Sequence, residues 1–166
     1  MADIIRVKGL AELQKMLGTI APRIQKNIMR GAMRAGMQVI RKEAQSNIRS
    51  ASGLLASGLK VSTRVTGGRV ISKLKATGKH APIAHLVEYG TAAHSIDAKI
   101  KRGLSFGGGV VRKSVNHPGA RPAPFMRPAL DSQHRAAVVA VGSYVKQRLT
   151  KQGLDASHVI VEGDGE

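Results

Sequence analysis

The strongest constraint on the fold is a long helical pattern that runs over residues 21–49. Apolar residues recur along it every three or four positions, the spacing that brings side chains onto one side of an α-helix. An apolar side of this length must be covered, so the rest of the chain has to supply packing partners. Two adjacent stripes form this side, namely Ile20, Ile24, Ile28, Gly31, Ala35 and Val39, and Met33, Met37, Ile40, Ala44 and Ile48.

The opposite side of this helix is basic. No acidic residue of the helix offsets its cations before Glu43. Like charges four positions apart on a helix repel each other by a few tenths of a kcal/mol per pair. A solvated surface is the plainest interpretation, and a surface held against phosphates or against acidic residues of a partner is the alternative. The cations are Lys26, Arg30, Arg34 and Arg41.

A β-hairpin is predicted after this helix. Residues 59–65 alternate between apolar and polar with a period of two, which is typical of a half-buried strand. Gly67 and Gly68 form a tight-turn signal, and residues 69–76 return with the same alternation. The two strands would supply a small antiparallel sheet for the apolar side of the helix.

Residues 94–117 are predicted to form a long β-hairpin excursion. Residues 95–101 and 110–115 have strand character, and Phe106 with three glycines lies between them. A loop of this length inside a compact domain is usually functional or disordered. Its cations are candidate contacts for phosphates or for an acidic protein surface, and they are Lys99, Lys101, Arg102, Arg112 and Lys113.

A final helix is predicted to begin between Pro124 and Pro128 and to end near Gly153. The fold class is therefore α+β, with a small antiparallel sheet packed against a long N-terminal helix and a C-terminal helix. Residues 1–153 are expected to form one domain that includes the basic β-hairpin excursion at 94–117. Residues 154–166 are expected to form an acidic and mobile tail.

Residues for catalysis or metal binding lack the spacing that either function requires. The chain has six histidines and no cysteine, and no two histidines lie four positions apart on one helix. The middle of the chain has only Glu88, Asp97 and Asp131, with no close pair of carboxylates, and no nucleophile elbow surrounds a serine. We therefore expect no enzyme activity, no metal and no cofactor. Because no apolar run reaches the roughly 18–20 residues that span a bilayer and no signal-peptide pattern is present, a soluble intracellular product is expected.

The net charge of +17 is the strongest compositional signal. A charge of this size attracts nucleic acid, anionic membranes or acidic protein surfaces. The sequence has no helix-turn-helix, zinc-finger or ribonucleoprotein signature, and the excursion offers only Phe106 as a platform for stacking bases. Any nucleic-acid binding would therefore depend on phosphate contacts and not on base sequence.

Four short motifs follow one another along the chain. They are Ser52-Gly53-Leu54-Leu55, His85-Leu86-Val87-Glu88-Tyr89-Gly90-Thr91, Val115-Asn116-His117-Pro118-Gly119 and Pro124-Phe125-Met126-Arg127-Pro128-Ala129-Leu130. This arrangement resembles the tail-completion family of long-tailed bacteriophages, whose members are also described as minor tail components or head–tail connectors. The resemblance extends over roughly residues 5–150 and leaves the acidic end outside it.

The resemblance implies a small α+β subunit that forms a ring at the neck or top of the tail. This ring would complete the tail and join it to the DNA-filled head without any catalysis. The implied partners are copies of the chain in a ring, tail terminator or tail-tube proteins, and head-closure or adaptor proteins, with genomic double-stranded DNA in the channel as a further contact. The resemblance does not fix the number of subunits, and we expect a hexamer. The implied location is the virion, and the host cytoplasm during assembly, with no membrane partner. The basic residues of the long helix and of the excursion become candidate contacts for DNA or for a neighbouring ring.

The residues that match the family's structural motifs are expected to shape the backbone. Gly90 would end a short helix that starts near Pro82, since glycine accepts a left-handed conformation without a Cβ penalty. The proline-rich run before the last helix would set the angle at which the chain enters it. The matching residues are His85, Glu88, Tyr89, Gly90, Thr91, His117, Pro118, Gly119, Pro124, Phe125, Arg127 and Pro128.

A basic nucleic-acid-binding protein without sequence preference is the alternative function. The two functions differ in what should surround the gene. Neighbouring genes for portal, capsid and tail-tube proteins would favour the virion protein, as would images of an assembled particle that contains the chain.

Overall fold

The architecture of the chain is α+β, as predicted, with long helices and antiparallel strand pairs. Both the long N-terminal helix and the C-terminal helix are present. The structure is a computed structural model, and it describes residues 6–49, 53–98, 103–105, 111–157 and 160–162.

The chain divides into two compact units. Met1–Ala81 and Phe125–Glu166 form the first, and Pro82–Pro124 form the second. In chain order the elements are β1 (Arg6–Lys8), α1 (Leu10–Thr19), α2 (Pro22–Asn47), α3 (Leu54–Ser57), β2 (Leu59–Thr66), β3 (Arg69–Ala76), a 3-10 turn (Ala81–Ile83), α4 (Ala84–Tyr89), β4 (His94–Asp97), β5 (Leu104–Ser105), β6 (Val111–Arg112), β7 (Ser114–His117), α5 (Met126–Thr150) and β8 (Ile160–Glu162).

Two antiparallel helices, α2 and α5, form the centre of the first unit. Helix α2 begins at Pro22, which suits a first helical turn because the N–H that proline lacks would have no partner there. At the other end of α2, the Asn47 side-chain amide donates to the Phe125 carbonyl oxygen at 3.4 Å. Near the beginning of α2, Ile28 packs with Leu149 of α5. The start of each helix therefore lies beside the end of the other.

Small residues make much of the contact between α2 and α5. A Cβ atom on Gly36 would lie 2.7 Å from the carbonyl oxygen of Ala137 and 2.7 Å from a methyl group of Val141. The two backbones therefore approach more closely than large side chains would allow. The buried residues of the two helices are Ile28, Ala32, Gly36, Ile40 and Ala44 on α2, and Ala129, Ala137, Val145 and Leu149 on α5.

The buried stripe on α2 differs in part from the one that apolar spacing predicts, and α5 shows the same preference for small buried residues. Ile24 is 38% exposed, whereas Ala32 is completely buried. On α5, Leu130 is 51% exposed and its neighbour Ala129 is completely buried. The cause is side-chain size, because positions that face the partner backbone at short range accept only small residues, and larger apolar residues lie beside the contact.

Segments before α2 and after α5 pack against the same part of the core. Helix α1 places Leu13 against the cluster around Ile28, and Ala156 is buried in that cluster. Strand β8 pairs with β1 in antiparallel fashion. The sequence predicts a mobile tail over residues 154–166, yet Ala156 is part of the core and the tail's strand is paired. A prediction from net charge and glycine content gives no weight to apolar residues such as Ala156, which pack in the core.

Strands β2 and β3 form the predicted hairpin. They pair along their whole length, from Leu59 opposite Ala76 to the turn at Gly67 and Gly68. Both turn glycines have positive φ, 56° and 75°, which suits the twist of a two-residue hairpin turn. One side of the hairpin packs on α2, and Leu59 on that side is completely buried. The hairpin therefore covers part of the apolar side of α2.

The second unit contains α4 and the predicted excursion. Strands β4 and β7 pair in antiparallel fashion beginning with His94 opposite His117. Strands β5 and β6 form a second short ladder. The predicted β-hairpin is thus confirmed over the residues that the structure describes, with shorter strands than the sequence suggests. Residues 99–102 and 106–110 lie outside the described part.

We expect Gly36→Val to destabilise the first unit by about 2–3 kcal/mol, because overpacking against a fixed neighbour has costs of this order. Gly18→Val is the matched control, since α1 leaves open space around Gly18. Its stability should stay within about 0.5 kcal/mol of wild type, as at other exposed helix positions. Urea unfolding measures both values, and equal stability of the two variants would contradict the close contact between α2 and α5.

Candidate functional site

In the second unit Thr91, the last residue of one sequence motif, pairs with Ala120, which directly follows another motif. The Thr91 N–H donates to the Ala120 carbonyl oxygen at 2.9 Å, and the Ala120 N–H donates back to the Thr91 carbonyl oxygen at 3.1 Å. The Thr91 hydroxyl oxygen also accepts from the Ala120 N–H at 2.9 Å. A further bond joins the Ala123 N–H to the Val87 carbonyl oxygen at 2.8 Å. These bonds hold together the two chain segments that lead into and out of the excursion.

Gly90 makes this junction possible. Helix α4 ends there, and the Gly90 N–H donates to the Leu86 carbonyl oxygen at 2.8 Å. The backbone has φ 73° and ψ −174°, a region that is essentially restricted to glycine. A Cβ atom on Gly90 would lie 2.5 Å from the Ala120 carbonyl oxygen and 2.9 Å from the Pro122 ring. Both conformation and close approach therefore require glycine at this position.

A pair of histidines lies at the base of the excursion. The rings of His94 and His117 have their centroids 5.2 Å apart with a tilt of 31°. His94 Nδ1 is 2.9 Å from the Ala92 carbonyl oxygen, and His117 Nδ1 accepts from the Gly119 N–H at 3.0 Å. These backbone bonds orient both exposed rings. Among the described residues, no group of three or more acidic or histidine side chains is placed to hold a metal ion.

The other residues of the structural motifs divide between the two units. In the second unit Glu88 is buried, with 5% exposure, and Tyr89 is 64% exposed. In the first unit Phe125 is 1% exposed and fills the space at the start of α5. The exposed motif residues are His85, Tyr89, His117, Pro118 and Pro124 of the second unit, and Arg127 and Pro128 of the first.

The predicted basic side of α2 is not uniform. Lys26, Arg30 and Arg34 are exposed on one side of the helix, as the four-residue spacing predicts. Arg41 is half-buried and donates from Nη1 to the Gln38 side-chain oxygen at 3.0 Å. Its buried Nε has no hydrogen-bond partner within the described part of the chain. Arg41 is thus in a different environment from the three exposed cations.

Arg23 is a further cation on this side of α2 that the sequence interpretation omits. It is exposed and lies three positions before the first predicted cation, Lys26, so it shares the same side of the helix. The signal that identifies it is the helical spacing alone. Together with Arg30 and Arg34 these residues form an exposed row about 17 Å long at 1.5 Å per residue.

The structure describes two of the five predicted cations of the excursion. Arg112 at the end of β6 and Lys113 just before β7 are both exposed. Close to them, the Ser95 and Ser114 hydroxyls lie 2.9 Å apart across the β4–β7 ladder. The other three, Lys99, Lys101 and Arg102, lie outside the described residues. Their grouping with Arg112 and Lys113 therefore stays a prediction.

The first unit also has an apolar groove of about 450 Å³ between α2, β3 and the start of α5. Its polar contribution comes from Ser72, Lys73 and Lys75. None of the described helices is long and apolar enough to cross a bilayer. The apolar residues of the groove are Met37, Ile40, Leu74, Met126 and Leu130.

A family model described as "Bacteriophage HK97-gp10, putative tail-component" matches residues 11–90. Residues 11–90 are therefore similar to the HK97-gp10-like family of phage tail components. The match begins in α1, includes α2 and the β2–β3 hairpin, and ends at the glycine that terminates α4. It confirms the resemblance to phage tail proteins over just under half of the chain, and it supports a structural role in the tail. No curated protein and no solved structure is significantly similar to the chain.

We expect Gly90→Ala to break the hydrogen bonds that join Thr91 and Ala120. The variant needs a disfavoured backbone conformation, at about 1–3 kcal/mol, and its new Cβ overlaps the Ala120 carbonyl oxygen. Hydrogen exchange at the Thr91 and Ala120 amides should then accelerate at least tenfold.

Gly78→Ala is the control for this experiment. Gly78 also has positive φ, 83°, but no atom lies near its missing Cβ. It should leave the exchange of the Thr91 and Ala120 amides unchanged. Unaltered exchange in Gly90→Ala would show that the junction does not depend on this glycine.

Proposed function

We propose that the chain forms a ring at the neck or top of a phage tail, completes the tail and joins it to the DNA-filled head. The observation that carries this proposal is the similarity of residues 11–90 to a family of phage tail components. The order of the motifs along the chain supports the more specific assignment to tail completion. Joining is a mechanical task that requires contacts between proteins, so it needs no reacting group.

The two units of the fold suit a joining protein in different ways. The first unit has its own helical core, with α2 and α5 in close contact at Gly36, and this core supplies a stable body. The second unit carries an excursion whose two ends are held together at Thr91 and Ala120. A hairpin with a fixed base can reach a neighbouring protein while the fold from which it extends stays intact. We infer that the excursion is the docking element.

A place at the neck or top of the tail implies which proteins the chain contacts. In a ring each subunit contacts two copies of itself, and six copies are proposed. The apolar groove with exposed Leu130 supports a subunit contact, since exposed apolar patches are typical of interfaces. The further partners are tail terminator or tail-tube proteins on one side and head-closure or adaptor proteins on the other. The chain would be in the virion, and in the host cytoplasm during assembly.

A basic nucleic-acid-binding protein is the second candidate function. The net charge of +17 favours it, since a charge of this size attracts phosphates at long range. The two candidates predict different defects. Loss of a joining protein leaves heads and tails separate, whereas loss of an accessory DNA-binding protein leaves joined particles with a defect in genome handling.

We expect the purified protein to be a monomer or a weak oligomer that forms a ring only on the end of a tail. The helical core of the first unit is complete within one chain, so folding does not require a second copy. Sedimentation at micromolar concentration measures the assembly state. A stable large ring in the absence of tails would contradict assembly on the tail.

We expect a deletion of residues 101–110 to block joining and to leave the core folded. These residues lie outside both long helices and the β2–β3 hairpin, so the thermal unfolding transition should stay cooperative and at the same temperature. In the phage that encodes the chain, the mutant should accumulate filled or leaking heads and separate tails. Electron microscopy of lysates shows the two species directly.

Two further strains complete this experiment. A strain with Lys99, Lys101, Arg102, Arg112 and Lys113 replaced by Ser keeps the length of the hairpin and tests whether docking depends on its charge. A strain without the gene tests the function itself. Joined, infectious particles from the deletion mutant would exclude the excursion as the docking element, and joined particles without the gene would refute the neck assignment.

A further inference from the structure

The outward side of the β2–β3 hairpin is strongly basic. Because side chains alternate along a strand, the register that places Leu59, Val61 and Leu74 toward α2 places a different set of residues on the opposite side. Five of the eight positions on that side are cationic. The cross-strand pairs there are Lys60 with Lys75, Ser62 with Lys73, Arg64 with Ile71, and Thr66 with Arg69.

These five cations, which we call the basic ribbon, are Lys60, Arg64, Arg69, Lys73 and Lys75. All five are exposed. The sequence contains no acidic residue between Glu43 and Glu88, so neither strand supplies a counter-charge. Within the described part of the chain no carboxylate forms an ion pair with any of the five. Their charge is therefore available to a ligand.

One cross-strand pair of the ribbon lowers the stability of the folded hairpin. Lys60 and Lys75 lie directly opposite each other, and like charges in this position destabilise a strand pair. The hairpin tolerates this repulsion because its other side is anchored on α2 through Leu59. A one-residue slip would exchange the two sides, so the packing on α2 also fixes which side is basic. A polyanionic ligand would remove the repulsion.

We propose that the basic ribbon binds the sugar–phosphate backbone of double-stranded DNA. Two strands of eight residues extend about 27 Å at about 3.4 Å per residue, and a duplex carries about 16 phosphates over that length. Ser62 and Thr66 lie among the cations and can donate hydroxyl hydrogen bonds to phosphate oxygens. A shallow depression on this side brings Ser62, Arg64 and Lys73 together.

The composition of the ribbon favours duplex DNA over other anionic ligands. Three of its five cations are lysines, and lysine is depleted in protein–protein interfaces, whereas surfaces that bind DNA are rich in positive charge. No aromatic residue lies on either strand, so the ribbon has no platform on which the bases of a single strand could stack. Contacts to phosphates carry no base sequence, so binding is independent of sequence.

The test compares two variants that each lose five of the 17 net positive charges. The ribbon variant carries Lys60→Gln, Arg64→Gln, Arg69→Gln, Lys73→Gln and Lys75→Gln. The matched excursion variant carries Lys99→Gln, Lys101→Gln, Arg102→Gln, Arg112→Gln and Lys113→Gln. Fluorescence anisotropy with a duplex of mixed sequence gives the binding constant of each purified protein over a series of salt concentrations.

We expect the slope of log K against log salt to become shallower by about 4–5 in the ribbon variant, at about 0.9 per lost phosphate contact. The excursion variant should retain most of the wild-type slope. Lys60→Arg, Lys73→Arg and Lys75→Arg together keep the charge and should keep the slope. Because the substitutions remove the repulsion between Lys60 and Lys75, thermal unfolding of the ribbon variant should occur at or above the wild-type temperature.

Three results would overturn the proposal. In the first, the wild-type protein does not bind duplex at 50 mM salt, and the ribbon then faces an acidic protein. In the second, both variants lose the same slope, so that only net charge matters. In the third, single-stranded DNA binds more tightly than duplex. The measurement uses purified protein without particles, so its outcome is independent of whether the chain joins heads to tails.

Discussion

The close approach of α2 and α5 at Gly36 and Ala137 is the contact on which the first unit depends. It brings the backbones of two long helices close together at a small residue, and Ile28 and Leu149 pack farther along the same pair. The β2–β3 hairpin packs on the same helix, and Asn47 at the end of α2 bonds to Phe125, where the chain returns to this unit. The orientation of the hairpin and the direction of α5 thus follow from one helix pair.

The main elements could be predicted from sequence because local signals agree with the fold at each of them. Proline at the start of α2, the alternation on both sides of Gly67 and Gly68, and helical spacing after Pro124 all pointed to the right element type. The buried surface was harder to predict, since apolar spacing favours Ile24 and overlooks Ala32 and Gly36. A small residue of a helix is buried only where a partner helix approaches its backbone. The sequence of one helix does not show where that approach occurs.

In the candidate site too, local features could be predicted from sequence, whereas tertiary contacts could not. The helix stop at Gly90 is a local property, but its contact with Ala120 joins residues thirty positions apart and depends on tertiary structure. The cations of α2 were visible as a row, yet the sequence could not show that Arg41 is half-buried beside Gln38 while Arg30 stays exposed. Alternation within β3 places Lys73 and Lys75 on one side, but the register was needed to show that Lys60 and Arg64 of β2 share that side.

The pairing of β1 with β8 has a further consequence for the connectivity of the first unit. Arg6 lies opposite Glu162 in this ladder, so the first and last described strands run side by side in opposite directions. Their backbones are separated by the usual distance of about 5 Å between paired strands. A short peptide bridge could therefore connect Glu162 to Arg6, and the exposed turn at Gly67 and Gly68 could be opened instead. The architecture is thus compatible with circular permutation, in which the same contacts are kept while the order of the helices along the chain changes.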